Sequence, residues 1–474
     1  MKKRIIYGVL MASTVMLASC KKDKTATPVI STPQFQAGAT ISKDTLSGSV
    51  KGTMVAGKTY YFSDAITINA GDTLVMQAGV KLLALNPNAQ IIVKGSFISL
   101  GSKDNPNWIT GKDAYNSPVT YKLNTLVDPN IDPALKPDGK MWGGIQCDTS
   151  AKMVNIKWTH LDFAGGTASA TNPPAGYQSG ANLFVILFQN PNGYLILEDS
   201  WIYGSTTDAC RVNGGKVHIM RNTVEKLSYN DGDAFNVKNS TTGDMAYNLI
   251  VGTAKGGTKA SNKGSYGSTQ TNVNMYNNTY VSGGFRSVDP DRGANINYEQ
   301  GARGMAYNNI MVNCRTGLRI LENPAADTSN CFYGNNLSYG DNLAIVNQFY
   351  PPTHATHPQA TDIPNPASFY PGFTNKTYKL GQVYNAPQLI GQNNPKFKNF
   401  PLPVSDTSKL TLYNFVGSYN FSLQSGSPAI GVGNTNFQPI NATAAITNSM
   451  LKATVTPPNK DLGAFPTDGS GNQH

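Results

Sequence analysis

The sequence predicts an all-β chain wound into a right-handed parallel β-helix (solenoid) with long loops, and three observations predict it. Charged residues are only 14% of the 474 and glycines number 46, while Asn, Thr, Ser and Tyr crowd the chain. Helices favour Ala, Leu, Glu and Lys, so this balance suits a turn-rich β protein instead. A short pattern with a polar centre returns at coil-sized intervals through the middle of the chain. Three stretches, 103–140, 167–181 and 350–410, break that rhythm and read as loops leaving a regular stack.

The repeat is the strongest of the three. Leu197-Glu198-Asp199-Ser200-Trp201-Ile202 is followed by Ile219-Met220-Arg221-Asn222-Thr223-Val224 and Met245-Ala246-Tyr247-Asn248-Leu249-Ile250. Met275-Tyr276-Asn277-Asn278-Thr279-Tyr280, Ala306-Tyr307-Asn308-Asn309-Ile310-Met311 and Tyr333-Gly334-Asn335-Asn336-Leu337-Ser338 complete the set. Aligning Ser200, Asn222, Asn248, Asn278, Asn309 and Asn336 gives intervals of 22, 26, 30, 31 and 27 residues. The position three before each is apolar or aromatic, and the position two after is apolar in five of the six. Stacked coils place equivalent residues about 4.8 Å apart. The pattern therefore predicts a ladder of side-chain amides along the axis, with the apolar positions filling the interior. A leucine-rich repeat would need a leucine ladder, and propeller blades would be longer.

Taken in chain order, Met1-Lys2-Lys3-Arg4 is a basic start and Ile5 to Leu17 an apolar stretch, shorter than the roughly 20 residues a membrane span needs. This is the layout of a signal peptide over 1–19. Leu17-Ala18-Ser19-Cys20 resembles the lipobox of bacterial lipoproteins, which implies a lipid on Cys20 and attachment to a membrane through it. Residues 20–40, with Lys21-Lys22-Asp23-Lys24 and then Thr, Pro and Ser, read as a flexible tether. A charged tract at this place resembles that of Bacteroidetes surface lipoproteins, which implies the outer membrane, on its cell-surface or periplasmic face. A single β-helix domain is expected over 41–474, with regular coils about 142–345, a long loop about 350–410 and a closing segment about 411–474.

Ala65 to Val80, continuing into Ile91-Ile92-Val93-Lys94-Gly95-Ser96-Phe97, resembles the opening coils of bacterial surface β-helices of the pectate-lyase-like superfamily. Trp142-Gly143-Gly144-Ile145 and Leu161-Asp162-Phe163-Ala164-Gly165-Gly166 resemble their next coils. Ser427-Pro428-Ala429-Ile430-Gly431 and Asp461-Leu462-Gly463-Ala464-Phe465 resemble their closing segment. The loops either wall a groove or shield the open end of the stack.

Removing a 19-residue leader leaves 455 residues and takes away three of the ten net positive charges, leaving about +7. A cationic excess outside the cytoplasm points to anionic glycans or lipids and away from nucleic acid. Cys147, Cys210, Cys314 and Cys331 are widely spaced and form no CxxC pair; buried free thiols are expected.

Charged residues fall at matching offsets, 6 to 14 positions past each aligned corner. Asp208 and Arg211 follow Ser200, and Asp231 and Asp233 follow Asn222. Lys255 and Lys259 follow Asn248; Arg286, Asp289, Asp291 and Arg292 follow Asn278; Arg315, Arg319 and Glu322 follow Asn309. Neighbouring coils should bring them within reach of one another. Asn230-Asp231-Gly232-Asp233-Ala234-Phe235 with Asp208 is similar to the calcium cluster of β-helical pectate lyases that use a lysine base. That resemblance implies Asp208, Asp231 and Asp233 as Ca²⁺ ligands, Lys259 as the base, and Arg286, Arg292 and Arg319 as contacts to an acidic polysaccharide. Here Asn236 stands where a further carboxylate would help, and Lys259 lies in Gly256-Gly257-Thr258-Lys259, which blurs its register.

Two other readings stay open. A polygalacturonase-type hydrolase could use Asp231 and Asp233, although no second paired motif appears. A non-enzymatic glycan-binding protein, adhesin or scaffold needs only the rigid face. A scaffold predicts that the charges of 208–259 are dispersed and exposed, whereas a lyase predicts that they converge. His354 and His357 between prolines read as surface residues, and the Tyr and Trp residues either stack on sugars or fill the solenoid.

Overall fold

The structure is a computed structural model that describes residues 38–118, 140–171, 173–228, 231–262, 269–287, 289, 292–350, 355–365, 386–400 and 419–474. Cys20, the leader, most of the tether, His354 and much of the loop at 350–410 lie outside these residues. Each coil contributes three short parallel strands, and the coils stack into three faces.

Face A is a ten-stranded sheet that runs from Gly52–Met54 through Met153–Lys157, Tyr194–Glu198, Lys216–Met220, Thr242–Ala246 and Asn272–Tyr276 to Cys331–Gly334. Face B includes Asn107–Gly111, Thr159–Asp162, Trp201–Tyr203, Thr223–Glu225, Leu249–Val251, Thr279–Val281, Ile310–Val312 and Leu337–Tyr339. Face C runs through Ile91–Val93, Ile145–Cys147, Ile186–Phe188, Cys210–Asn213, Asp233–Lys238, Gly256–Ser261, Ala294–Glu299 and Thr316–Ile320. The opening strand Thr59–Ile68 bends across two faces, pairing with Lys81–Ala84 by its first half and with Ile91–Val93 by its second. The stack is thus a parallel β-helix. It starts well before residue 142, and Asn107–Gly111, expected in a loop, is one of its strands because Ile109 continues the inward row of Leu82 and Leu161.

The amide ladder forms as the spacing predicts. Between faces A and B, the backbone N–H groups of Ser200, Asn222, Asn248, Asn278 and Asn309 donate to the side-chain oxygens of Asn222, Asn248, Asn278, Asn309 and Asn336 at 2.9–3.1 Å. Asn222, Asn248, Asn278 and Asn309 also donate through Nδ2 to the next oxygen in line. The residue before each rung takes a left-handed φ, from 47° at Asp199 to 62° at Asn308, a conformation that costs an L residue free energy. A ladder with its hydrogen bonds satisfied inside the protein offsets that cost. Ser200 and Thr159 extend it downward, and Asp362 Oδ1 accepts from Asn336 N at the top.

Residues 355–365 add a partial coil over the last strands: Ala355 N donates to Ile320 O, and Ser338 N to Ile363 O. Residues 355–365 of the long loop therefore shield the end of the stack. The closing segment packs outside faces A and B. Ile446, Leu451 and Ala453 cover Val75, Ile98, Met153, Tyr194 and Ile196. Phe421, Leu462 and Phe465, joined by Phe397 of the long loop, cover Leu249, Val251, Val281, Ile310 and Val312. All four cysteines beyond Cys20 are buried and free. Among the described residues no helix is long and apolar enough to cross a membrane.

Candidate functional site

Face C keeps apolar residues inward and polar ones outward by strand alternation. Phe235, Val237, Ala260, Ile296 and Tyr298 enter the core. Arg211, Asn236, Lys259, Asn297 and Arg319 align in one outward row, one residue per coil. Asn213, Lys238, Ser261 and Glu299 align in a second row, two residues along each strand. Polar residues so placed converge because parallel registry repeats every coil.

The floor is sunk: Asn236 is 1% exposed, Arg319 4% and Lys259 9%. Asp231, Lys255 and Arg292 form a more accessible rim. Glu299 is the hub. Its carboxylate receives Lys259 at 2.7 Å, Arg292 at 3.0 Å, Asn297 Nδ2 at 3.1 Å and Arg319 at 3.3 Å. Burial raises the Glu299 carboxyl, but Lys259, Asn297 and Arg292 outweigh it and hold it at about 2. Asp208 takes Arg211 at 2.6 Å and accepts from Asp233 N at 2.8 Å. Asp233 accepts from Asn236 Nδ2 at 2.9 Å; burial first, then Asp208, push its carboxyl up. Asp231 pairs with Lys255 at 2.6 Å.

Among the described residues each carboxylate of the cluster has a donor within the chain, and one cation is left over. Lys238 has no hydrogen bond or ion pair to its ammonium among the described residues. Burial, then Arg211 and Lys259 nearby, bring it down to about 8. In the next coil Ser261 Oγ is buried without a partner, as is Asn236 Oδ1 in the adjoining row. Unpartnered buried polar atoms cost about 1–3 kcal/mol each, so their concentration around Lys238 marks a place where an incoming ligand would be favoured.

The structure brings together Asp208, Asp233, Lys259, Arg292 and Arg319, with Asp231 on the rim. It separates Arg286, whose guanidinium donates to the carbonyls of Leu227, Ser228 and Gly252 and so staples successive corners. Lys259 is in the cluster but committed to Glu299, which makes it a charge partner where the resemblance implied a base. The residues also do not fit Ca²⁺. Arg211 and Lys255 occupy the carboxylates meant for it, and among the described residues no three His, Cys, Asp or Glu side chains are grouped to hold a metal ion. His357 sits in the end-shielding coil. Trp108, His160, Trp201 and His474 stack on one another along face B, with ring centroids 3.7–4.2 Å apart, so their flat faces are already used.

Sequence reasoning missed Glu299 and Lys238. Glu299 lies 21 positions past Asn278 and Lys238 lies 16 past Asn222, outside the 6–14 window, because corners between faces B and C differ in length from coil to coil. Counting back from the next ladder residue would have found both, since face C ends shortly before each new face A strand.

No family model matches the chain, and no curated protein matches it. Among solved structures it is similar to the Dettilon tailspike protein (gp208), at 12% sequence identity and a TM-score of 0.29, over 62% of this chain and 55% of that chain. The chain spans about half the length of that tailspike, and the fold rests on its own coil pairing.

Proposed function

We propose that this protein binds an acidic, uronate-containing polysaccharide at the charged cluster of face C and cleaves it by β-elimination without a calcium ion. The observation that carries this reading is Lys238, an unpartnered lysine among cations where the carboxylates are already engaged. Arg211, Lys259 and Arg319 supply positive charge that favours a uronate carboxylate and acidifies the proton at C5. A lysine poised near 8 accepts that proton at moderate pH. The electron pair forms the C4–C5 double bond, the C4–O bond breaks, and the Lys238 ammonium returns the proton to the departing oxygen. The charges of 208–259 meet rather than disperse, which favours this reading over a bare scaffold. Leu17-Ala18-Ser19-Cys20 supports a place at the outer membrane, held by lipid on Cys20.

The test is absorbance at about 235 nm, where the new unsaturated uronate absorbs, with polygalacturonate, alginate and glycosaminoglycans, with Ca²⁺ or with chelator. The expected result is a chelator-resistant rise that grows as pH passes 8 and disappears in Lys238→Met. Binding with no rise on any uronate polymer would leave a non-catalytic glycan-binding protein. A rise abolished by chelator would return the calcium ion to the site.

A further inference from the structure

A second recess opens on face C beside Pro173, Pro174 and Ala175, and none of its lining residues belongs to the charged cluster. It is a cavity of about 290 Å³, lined by Ala65, Gln90, Ile92, Lys94, Gln146, Cys147, Asp148 and, from the loop, Pro173, Pro174 and Ala175. The roof is pinned. Tyr177 OH donates to Gln146 Oε1 at 2.7 Å and accepts from Phe184 N at 3.0 Å. Gln189 Nε2 donates to Ala175 O and Cys147 O at 2.9 and 3.1 Å. The recess is therefore preformed, which lowers the ordering cost of binding.

Its lining has two characters. Ala65, Ile92, Pro173 and Pro174 give apolar surface. Gln90 Oε1 is buried with no hydrogen-bond partner, and an acceptor left in that state is an incentive for a donor to enter. Gln146 is saturated by Gly143 O, Phe184 O and Tyr177, so it shapes the wall. Lys94 is exposed at the edge, and Asp148 already accepts from Ser150. A vacant acceptor, Lys94 and Asp148 in the lining, and apolar side chains beside them match a small ring with hydroxyl donors and C–H faces. The Asp148 carboxylate disfavours an anionic ring. Pockets for small molecules begin at about 300 Å³, so the space suits a single ring.

We propose that this recess is a binding site for one neutral, hydroxyl-rich sugar ring, independent of the charged cluster. Isothermal titration of the full chain with galactose, glucose, mannose, xylose and galacturonate tests it. At least one neutral sugar should saturate, more tightly than galacturonate. Gln90→Leu should weaken that sugar at least fivefold, and Ala65→Phe, which fills the floor, should abolish binding while the melting temperature stays native. Tyr177→Phe, which frees the roof, should weaken it as well, and Lys238→Met should leave it unchanged. No saturation by any neutral sugar, tighter binding of galacturonate, unchanged binding in both Gln90→Leu and Ala65→Phe, or loss of binding in Lys238→Met would overturn the site. Failure here leaves the 235 nm test untouched, and failure there leaves this one standing.

Discussion

Faces A and C both carry buried charges that pair within neighbouring coils, yet face A also draws partners from a distant segment. On face A, Asp244 accepts from Ile440 N and Asn441 N, and Lys157 donates to Lys452 O. Arg221 reaches Thr454 O and Thr456 Oγ1, and Glu198 accepts from Thr454 N. These bonds join residues 196 to 295 positions apart. On face C, Lys259, Arg292 and Arg319 meet Glu299, and Arg211 meets Asp208, all within neighbouring coils. A charged row whose partners come from a distant segment docks that segment. A row that closes on itself and leaves a cation and two polar atoms over has no such docking role, and its arrangement is free to serve a ligand.

The sharpest way to break this comparison is at Arg221. Its guanidinium holds Asp199 through two bonds, at 2.7 and 3.0 Å, and lies 3.7 Å from Glu198. Replacing it with Met keeps the stem but leaves the buried Asp199 carboxylate without its cation, while Glu198 keeps Lys157, a change that costs about 3–5 kcal/mol. Arg221→Met should lower the midpoint of urea unfolding accordingly and expose the closing segment to limited proteolysis. A near-native midpoint would mean that face A does not anchor that segment.

Glu299→Gln applies the same logic to face C, with a smaller effect because Arg292 and Lys259 retain some access to water. The loss of the hub carboxylate should destabilise the protein by about 2 kcal/mol. The pH dependence gives the sign. The Glu299 carboxyl sits at about 2, below its ordinary 4.5, so its contribution is present above pH 4.5 and is lost as pH falls toward 2. Glu299→Gln should flatten that part of the acid unfolding curve, and an unchanged acid limb would show that the hub is dispensable.

How much of this was legible follows from what each feature depends on. The ladder was readable because five of its six rungs are asparagine at a near-constant place, just after the face A strand, and because Leu197, Ile219, Met245 and Met275 precede it with the right polarity. The convergence of Asp208, Asp233, Lys259 and Arg319 was readable for the same reason. Their pairing was not. Whether Lys259 is a base or a partner depends on Glu299, which a longer corner displaces from the expected offset. The docking role of Glu198 and Arg221 was hidden because their partners at Thr454 and Thr456 are set by how the closing segment folds back. Coil periodicity says nothing about that.

The smallest effect expected is the most discriminating. Lys238 lies near 8 in the folded protein against an ordinary 10.5, with burial the first cause and Arg211 and Lys259 the next. Between those values the unfolded chain holds a proton that the folded chain lacks, so stability rises with pH across about 8 to 10.5. Below 8 the folded state carries a cation that it does not neutralise. Lys238→Met removes that burden and keeps the apolar stem, and should stabilise the protein at pH 7 by about 1–2 kcal/mol. The gain should vanish above pH 10.5. Unfolding midpoints of wild type and Lys238→Met at pH 7, 9 and 11 read this directly. A gain at pH 7 together with lost elimination is the trade expected of a residue kept for chemistry. A loss of stability at pH 7 would instead give Lys238 a structural partner, and face C would then differ from face A only in how far away its partners lie.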